Sequence, residues 1–218
     1  AFNYYFHQYD ETGYHFVNIT IHIITAFLLY LVTRKTMILC RLKNRWLALP
    51  VVLLWLVNPV HTQSVTYIVQ RMNSLAAMFY LLAMFCYIQG RLVQRKDERS
   101  PLRFILFFAA SALAGLCGML SKEITATLPI MIFLYEWYFF QKLNTGWLRR
   151  QVGWILALCS ILIVFFLIFV KGVYLQGSPL TALVSKYAEK DFTMGQRLLT
   201  EAGVVVYYLS LLLFPSPD

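Results

Sequence analysis

Two short polar segments contain the side chains of this chain that are best suited to chemistry. The first, NPVHTQSVTYIVQR at positions 58–71, carries a histidine and an arginine. The second, Ser121-Lys122-Glu123, interrupts an otherwise apolar stretch over 104–140. An arginine fork binds phosphate bidentately, a lysine binds it as a point charge, and a carboxylate binds a metal ion or a hydroxyl group. Together the two segments predict a polar site set between hydrophobic segments.

Each of these side chains also has an ordinary structural interpretation. His61 can cap a turn that contains proline, and Arg71 can extend to lipid headgroups. Lys122 and Glu123 can form a charged turn at the membrane surface. His22 can be a packing residue of the first membrane helix, with Asn18 four residues earlier on the same helix face. The residues alone leave both interpretations open.

The same sequence offers few sites for a cofactor. Asp10 and Glu11 are paired carboxylates, which can bind a divalent cation or supply a base, although a solvated turn is the favoured explanation. The four cysteines contain no CxxC pair, and we find no glycine-rich phosphate loop, HExxH or GxSxG motif. A divalent cation is therefore the one cofactor left open.

The composition predicts a membrane protein. Hydrophobic residues make up 60% of the chain and charged residues 13%, against roughly 25% charged residues in soluble domains. No segment alternates as a membrane β-strand does. We predict an all-α fold, a polytopic transmembrane helical bundle with about seven membrane segments. The apolar runs are 16–32, 46–57, 74–88, 104–120, 124–140, 152–170 and 198–214.

The basic residues predict how the chain crosses the membrane. Thirteen of the 19 Lys and Arg residues lie in 34–45, 91–103 and 141–150, and the other six lie in the alternate loops. The positive-inside rule makes the side with thirteen cytoplasmic. The segments 1–15, 58–73, 121–123 and 171–197 are then external. The net charge of +9 is explained by topology and argues against nucleic acid as a partner.

We predict one transmembrane domain over 1–218. It starts with an aromatic-rich external interfacial segment, 1–15, followed by five membrane segments within 16–140 and two more within 141–218. Such a start outside the membrane leads us to expect a piece of a longer protein. The second apolar run, of twelve residues, covers only about 18 Å of the roughly 30 Å hydrocarbon core. Pro59 predicts that this helix ends at Asn58 and that a new helix begins there and runs to Arg71, a broken helix of the kind that lines a cavity and whose N-terminus is a natural anion site.

Four stretches in order resemble one enzyme family. NPVHTQSVTYIVQRMNSLAAMFYLLAMFCY resembles the HPVH.E.VA.I..R.D.LS segment of GT-C membrane glycosyltransferases that carry tetratricopeptide repeats, which include transmembrane O-mannosyltransferases. GYHFVNITIHIITAFLLYL resembles the preceding helix of that family, and GMLSKEITATLPIMIFLYEW resembles its LSKP..VTLP hairpin. RLLTEAGVVVYYLSLLLFPSPD resembles a stretch that leads to a downstream loop.

The resemblance implies a GT-C-like enzyme that moves a sugar from a polyprenyl-phosphate donor to an acceptor, such as a protein, on the outer face of the membrane. In a bacterial inner membrane that face is periplasmic. The resemblance also implies that His61, Arg71 and Lys122 bind the phosphate of the donor. Supporting roles fall to another five residues: Asn58, Gln63, Asn73, Glu123 and His22.

The chain also departs from the family pattern. Asn58, Gln63 and Asn73 stand where the family commonly has His, Glu and Asp, so each position lacks a potential charge. The family's acidic pair lies in an external loop upstream of the matched part, and Asp10 and Glu11 do not match it. We therefore expect the catalytic acid to lie outside this chain. The alternatives are a non-catalytic membrane subunit or scaffold on a degenerate GT-C-like fold and, less favoured, a transporter, which should show internal repeats.

Overall fold

The computed structural model describes residues 11–62, 66–67, 71–96, 101–153, 156, 160, 164 and 194–213. Within those ranges the chain is helical apart from turns, and it contains no strand. This confirms the all-α class for that part of the chain. The described residues divide into two compact units, one within 11–142 and one within 143–213. A single domain over 1–218 stays a prediction.

Within the residues that the structure describes, the first unit contains five α-helices. The helices are α1 (Glu11–Leu39), α2 (Ala48–Leu56), α3 (Arg71–Lys96), α4 (Pro101–Ser121) and α5 (Leu128–Tyr135). Three 3₁₀ turns lie between them, at Arg45–Leu47, Pro59–His61 and Glu123–Thr127, and a π-helical turn, Glu136–Phe140, follows α5.

Three of the described helices are long and apolar enough to cross a membrane. They are Thr12–Leu39, Arg71–Lys96 and Pro101–Ser121. The shortest has 21 residues, which corresponds to about 32 Å of helix. They contain the predicted runs 16–32, 74–88 and 104–120, and each helix extends beyond its apolar run because polar residues continue a helix into water or headgroups. The total of seven segments and the GT-C architecture stay predictions.

Small residues let α3 and α4 pack closely. Ala83 of α3 is fully buried, and its carbonyl accepts a hydrogen bond of 2.8 Å from the Ser111 hydroxyl of α4. Gly90 of α3 lies against the side chains of Phe107 and Phe108. Small residues at such crossings allow backbones to approach, which is how helices gain contact in a lipid environment. This pair forms the centre of the first unit.

The predicted membrane segment 124–140 is helical throughout, but it is not one regular α-helix. The stretch forms a 3₁₀ turn, then the eight-residue α5, then a π-helical turn. Pro129, the second residue of α5, lacks a backbone N–H and is tolerated only in the first helical turn, so a new helix has to start there. At the far end the Gln141 N–H donates to the Glu136 carbonyl at 2.9 Å, which closes the wider π turn.

The break at the NPVH segment occurs close to the predicted position. Helix α2 ends at Leu56, and Asn58 is extended (φ −68°, ψ 128°), as the residue before a proline prefers. A short 3₁₀ turn follows. The prediction of a continuous helix from His61 to Arg71 is wrong, because Tyr67 is not helical and α3 begins at Arg71. Residues 63–65 and 68–70 lie outside the described residues.

The second unit contains a helical stretch, 145–153, and the long helix α6 (Met194–Leu213). The Asn144 side chain caps the first of these by accepting from the Trp147 N–H at 3.0 Å. Helix α6 corresponds to the predicted run 198–214, and its exposed Arg197 pairs with Glu201 at 2.9 Å. Most of 152–170 and 171–197, and all of 1–10, lie outside the described residues.

Candidate functional site

A cavity of about 550 Å³ lies in the first unit between α1, the end of α2, α3 and the 3₁₀ turn Glu123–Thr127. One part of its wall is polar, and the remainder is aliphatic or aromatic. The polar lining residues are Thr25, Asn73, Lys122, Thr125 and Thr127, and the apolar or aromatic ones include Leu29, Trp55, Ala76, Ala77, Tyr80, Leu81 and Ile124. Such a wall suits a ligand that has one charged end and one apolar end.

Lys122 provides the cationic part of this wall. It lies between α4 and the 3₁₀ turn in an extended conformation, and its Nζ donates a hydrogen bond to the Asn73 Oδ1 of α3. An ammonium group has three N–H donors, so this bond leaves capacity for an anion. Among the described residues no carboxylate forms an ion pair with Lys122. The adjacent Glu123 is exposed, and within the same ranges it forms no ion pair.

Arg71 is held on a different side of α3. Its Nε donates to the Asn18 Oδ1 of α1 at 2.9 Å, and its guanidinium lies over the Tyr14 ring at 5.3 Å. Asn18 is fully buried. Residues two apart on a helix point in nearly opposite directions, so Arg71 and Asn73 project from different sides of the first turn of α3. The structure thus brings Lys122 and Asn73 to the cavity and Arg71 to α1.

His61 belongs to a cluster of three rings beside the cavity. Its ring centroid is 4.4 Å from that of Trp55, which lines the cavity, and 5.5 Å from that of His22. Burial, and to a smaller extent the charge of His22, lowers the pKa of His61 from its ordinary value of 6.5. The neutral imidazole is therefore the favoured form near neutral pH, and it offers one hydrogen-bond donor and one acceptor.

Two other predicted site residues have different outcomes. Asn58 caps the 3₁₀ turn, with its Oδ1 accepting from the Val60 N–H at 3.0 Å, so it shapes the break and does not line the cavity. Gln63 lies outside the described residues.

Sequence reasoning missed Thr125 and Trp55. Thr125 is fully buried in the cavity wall, and its hydroxyl has no hydrogen-bond partner within the described part of the chain. Its position three residues after Lys122 is the one sequence signal that points to it. Trp55 lies in the short second apolar run, and it stacks on His22 with 5.0 Å between ring centroids.

No metal site is found in the described ranges: they contain no group of three or more His, Cys, Asp or Glu side chains close enough to share an ion. The paired carboxylates of Asp10 and Glu11 are not tested by this, because Asp10 and the Glu11 side chain lie outside what the structure describes. A divalent cation therefore has no described set of ligands in this chain.

A second polar cluster lies away from the cavity. Arg91 of α3 contacts Glu136 through two bonds, Nη2 to Oε1 at 2.5 Å and Nε to Oε2 at 2.8 Å. The Tyr87 hydroxyl and the Gln141 amide donate to the same carboxylate at 2.8 and 2.6 Å. Glu136 thus pairs with a basic residue of the segment 91–103. The cluster ties α3 to the π turn and has the geometry of a structural contact.

Comparison with known proteins gives one consistent group of relatives. No protein-family model matches the chain, and no solved structure matches it. The mouse protein O-mannosyl-transferase TMTC1 is 33% identical over 124 residues, which cover 56% of this chain and 13% of the relative. The fruit-fly protein O-mannosyl-transferase Tmtc2 is 26% identical over 206 residues, which cover 94% of this chain and 21% of the relative. The chain therefore spans about a fifth or less of the length of these relatives.

Proposed function

We propose that this chain forms the sugar-donor-binding part of a membrane glycosyltransferase. The enzyme transfers a sugar, from a polyprenyl-phosphate carrier, to a protein acceptor on the outer face of the membrane, which in a bacterial inner membrane is the periplasmic face. The similarity to protein O-mannosyl-transferases over 94% of the chain supports the reaction class. The uneven distribution of basic residues supports the outer location of Lys122 and His61.

One observation carries the proposal. A lysine that is unpaired with any described carboxylate lies at the wall of a cavity whose remaining lining is largely apolar. A polyprenyl phosphate has the complementary chemistry, with an anionic head and a hydrocarbon chain. A cation in a region of low dielectric attracts an anion much more strongly than it does in water. Lys122 is therefore the residue that we assign to the phosphate.

The reaction follows from this assignment. The acceptor hydroxyl oxygen attacks the anomeric carbon, the bond from that carbon to the phosphate oxygen breaks, and the phosphate keeps the electron pair. Lys122 stabilises the negative charge that develops on the leaving phosphate, as fixed cations do in transfer reactions. Asn73 orients Lys122, and neutral His61 offers a hydrogen bond to the phosphate or the sugar. Arg71 adds positive potential at the same end of α3. The hydroxyl proton goes to a base that we do not assign within this chain.

The test uses the full-length protein in membranes. We expect Lys122→Ala to lower turnover of a polyprenyl-phosphate mannose about 100-fold, a typical loss when one charge-stabilising group is removed. Lys122→Arg should keep part of the activity because the charge remains. Lys43→Ala, which changes an exposed lysine of the predicted cytoplasmic side, is the matched control. Unchanged turnover and unchanged donor affinity in Lys122→Ala would refute the assignment.

A binding measurement separates this function from the scaffold alternative. A fluorescent polyprenyl phosphate is titrated into the purified protein and into Lys122→Ala. Binding that depends on Lys122 without any transfer would indicate a non-catalytic lipid-phosphate-binding subunit. Binding together with transfer would support the enzyme, and the absence of both would exclude a role for the cavity in donor recognition.

A further inference from the structure

The break after α2 leaves the Leu56 backbone carbonyl without its helical partner. In a continuous helix the Leu56 carbonyl would accept from the N–H of Val60, four residues later. Val60 instead donates to the Asn58 side chain at 3.0 Å, and Pro59 has no N–H to offer. The carbonyl at the end of a helix needs another donor if water does not reach it. For the Leu56 carbonyl, the hydrogen-bond donor comes from a different helix.

His22 of α1 supplies the donor. Its Nε2 lies 3.0 Å from the Leu56 oxygen. A carbonyl only accepts hydrogen bonds, so the hydrogen has to be on Nε2. The imidazole also stacks on Trp55, with 5.0 Å between ring centroids and 26° between planes, and its centroid is 5.5 Å from that of His61. His22 thus contacts the helix end, the ring on the cavity wall and the histidine beside it.

We propose that His22 is a positioning residue that fixes the end of α2, and through it Trp55 and His61, relative to the cavity. His22 does not line the cavity itself, so it acts through these two side chains. The kinetic part of this inference rests on the proposed function, whereas the structural part does not.

A second contact from the same face of α1 supports the inference. Asn18, one turn before His22, accepts the hydrogen bond from Arg71 at the first residue of α3. The polar segment between α2 and α3 is therefore held at both ends by one helix face. Residues four apart are neighbours on a helix, so Asn18 and His22 form one continuous polar strip. The position of the polar segment is therefore set both by contacts with α1 and by the 3₁₀ turn Pro59–His61 within the segment.

Two amide variants test the hydrogen bond directly. The Gln amide nitrogen reaches about as far as Nε2 of histidine, whereas that of Asn falls short by one methylene. We expect His22→Gln to retain the position of the break and His22→Asn to lose it. His22→Phe keeps an aromatic ring against Trp55 but has no donor, and it should behave as His22→Asn does. Thr20→Ala is the control, since the one hydrogen bond of the exposed Thr20 hydroxyl within the described ranges goes to Phe16 of its own helix.

Two readouts are measured for each variant in lipid nanodiscs. The first is hydrogen–deuterium exchange of the amides at 57–61, which should be about tenfold faster in His22→Asn and His22→Phe and close to wild type in His22→Gln. The second is the KM for the polyprenyl-phosphate sugar, which should rise about tenfold in the same two variants with little change in kcat, as when binding alone is weakened.

The outcomes decide between the possibilities. Wild-type exchange in both His22→Asn and His22→Phe would overturn the inference, as would a His22→Gln variant that behaves as they do. Faster exchange together with an unchanged KM would overturn its link to the cavity. A wild-type protein without transferase activity would refute the proposed function, and the exchange data would still test the position of the break.

Discussion

Amide oxygens contact one cation of each polar segment, Arg71 of 58–71 and Lys122 of 121–123. Asn18 accepts from Arg71, and Asn73 accepts from Lys122. An amide orients a cation without cancelling its charge, whereas a carboxylate in the same place would pair with it. The sequence suggested that Asn73, in place of a common Asp, had lost a chemical function. Its contact with Lys122 instead indicates an orienting function that preserves the positive charge.

His61 should make the stability of the protein depend on pH. Its pKa is lowered in the folded state by burial and by His22, so the folded protein binds this proton less readily than the unfolded chain. The stabilising contribution is complete above the ordinary pKa of about 6.5 and is lost as the pH falls below it. We expect the thermal unfolding midpoint to fall between pH 7 and pH 5, and His61→Gln to show a smaller fall. An equal fall in both proteins would contradict the prediction.

The ion pair between Arg91 and Glu136 should contribute to stability, because both side chains are largely removed from solvent. Their exposed fractions are 20% and 9%. Removing one partner of a buried pair leaves a charge unpaired and costs about 3–5 kcal/mol. With Arg91 a fifth exposed, we expect about 3 kcal/mol or less for Glu136→Gln, measured by unfolding in detergent.

An exposed ion pair of the same chain provides the comparison. Arg197 and Glu201 are 46% and 62% exposed, and they lie four residues apart on α6. Such pairs contribute about 0.3–0.5 kcal/mol. Glu201→Gln should therefore change the unfolding free energy far less than Glu136→Gln. Equal effects of the two substitutions would show that the Glu136 cluster is not a stabilising contact.

At the scale of elements, Gly118 determines how closely α4 approaches the turn that carries the cavity wall. A Cβ at this position would lie 2.6 Å from the Thr125 Cγ2 and 3.4 Å from the Phe79 Cβ. Gly118→Ala should therefore push the 3₁₀ turn away and destabilise the protein by about 1–3 kcal/mol, as overpacking does. Thr125→Ser, which removes Cγ2, should recover most of the loss.

A glycine-to-alanine substitution at Gly203 should stabilise the protein, in contrast to Gly118→Ala. Among the described residues, no neighbouring atom lies within 4 Å of the position that a Cβ would take at Gly203 in α6. Alanine is favoured over glycine in a helix by about 1 kcal/mol, so Gly203→Ala should stabilise the protein. Thermal unfolding of both variants, with and without Thr125→Ser, measures these effects. Stabilisation by Gly118→Ala would contradict the close approach.

Hydrophobic runs predicted the helices well where no proline or polar cluster intervened. The runs 74–88 and 104–120 fall within α3 and α4, and the break after 46–57 followed from Pro59. The run 124–140 is helical as well, but composition does not reveal that it changes from a 3₁₀ turn to an α-helix and then to a π turn. Residue types alone also did not indicate that Arg71 and Asn73 point to different helices, since that depends on tertiary packing.

At the scale of the whole molecule, the charge pattern predicts that the two polar segments share one side of the membrane. Within the described residues, contacts link these segments through neighbouring side chains. Lys122 donates a hydrogen bond to Asn73, and the His61 ring packs at a tilt against Trp55, which lines the same cavity. Both segments therefore border one cavity, and a single ligand can contact both. This agreement between charge pattern and packing is independent of any family resemblance.

The side of the membrane on which Lys122 and the polar wall of the cavity lie can be tested by labelling cysteines in intact cells. Cys40 is an exposed free thiol in the basic segment 34–45, and Glu123 is exposed beside Lys122. A variant that keeps only Cys40 and a cysteine-free variant carrying Glu123→Cys are treated with a membrane-impermeant maleimide. Because positively charged loops stay cytoplasmic, Glu123→Cys should be labelled in intact cells, and Cys40 only after the membrane is permeabilised. Labelling of Cys40 but not of Glu123→Cys in intact cells would invert the predicted topology. Lys122 would then lie on the cytoplasmic side. Labelling of both thiols in intact cells would show that 34–45 and 121–123 lie on the same external side, which the alternating path forbids.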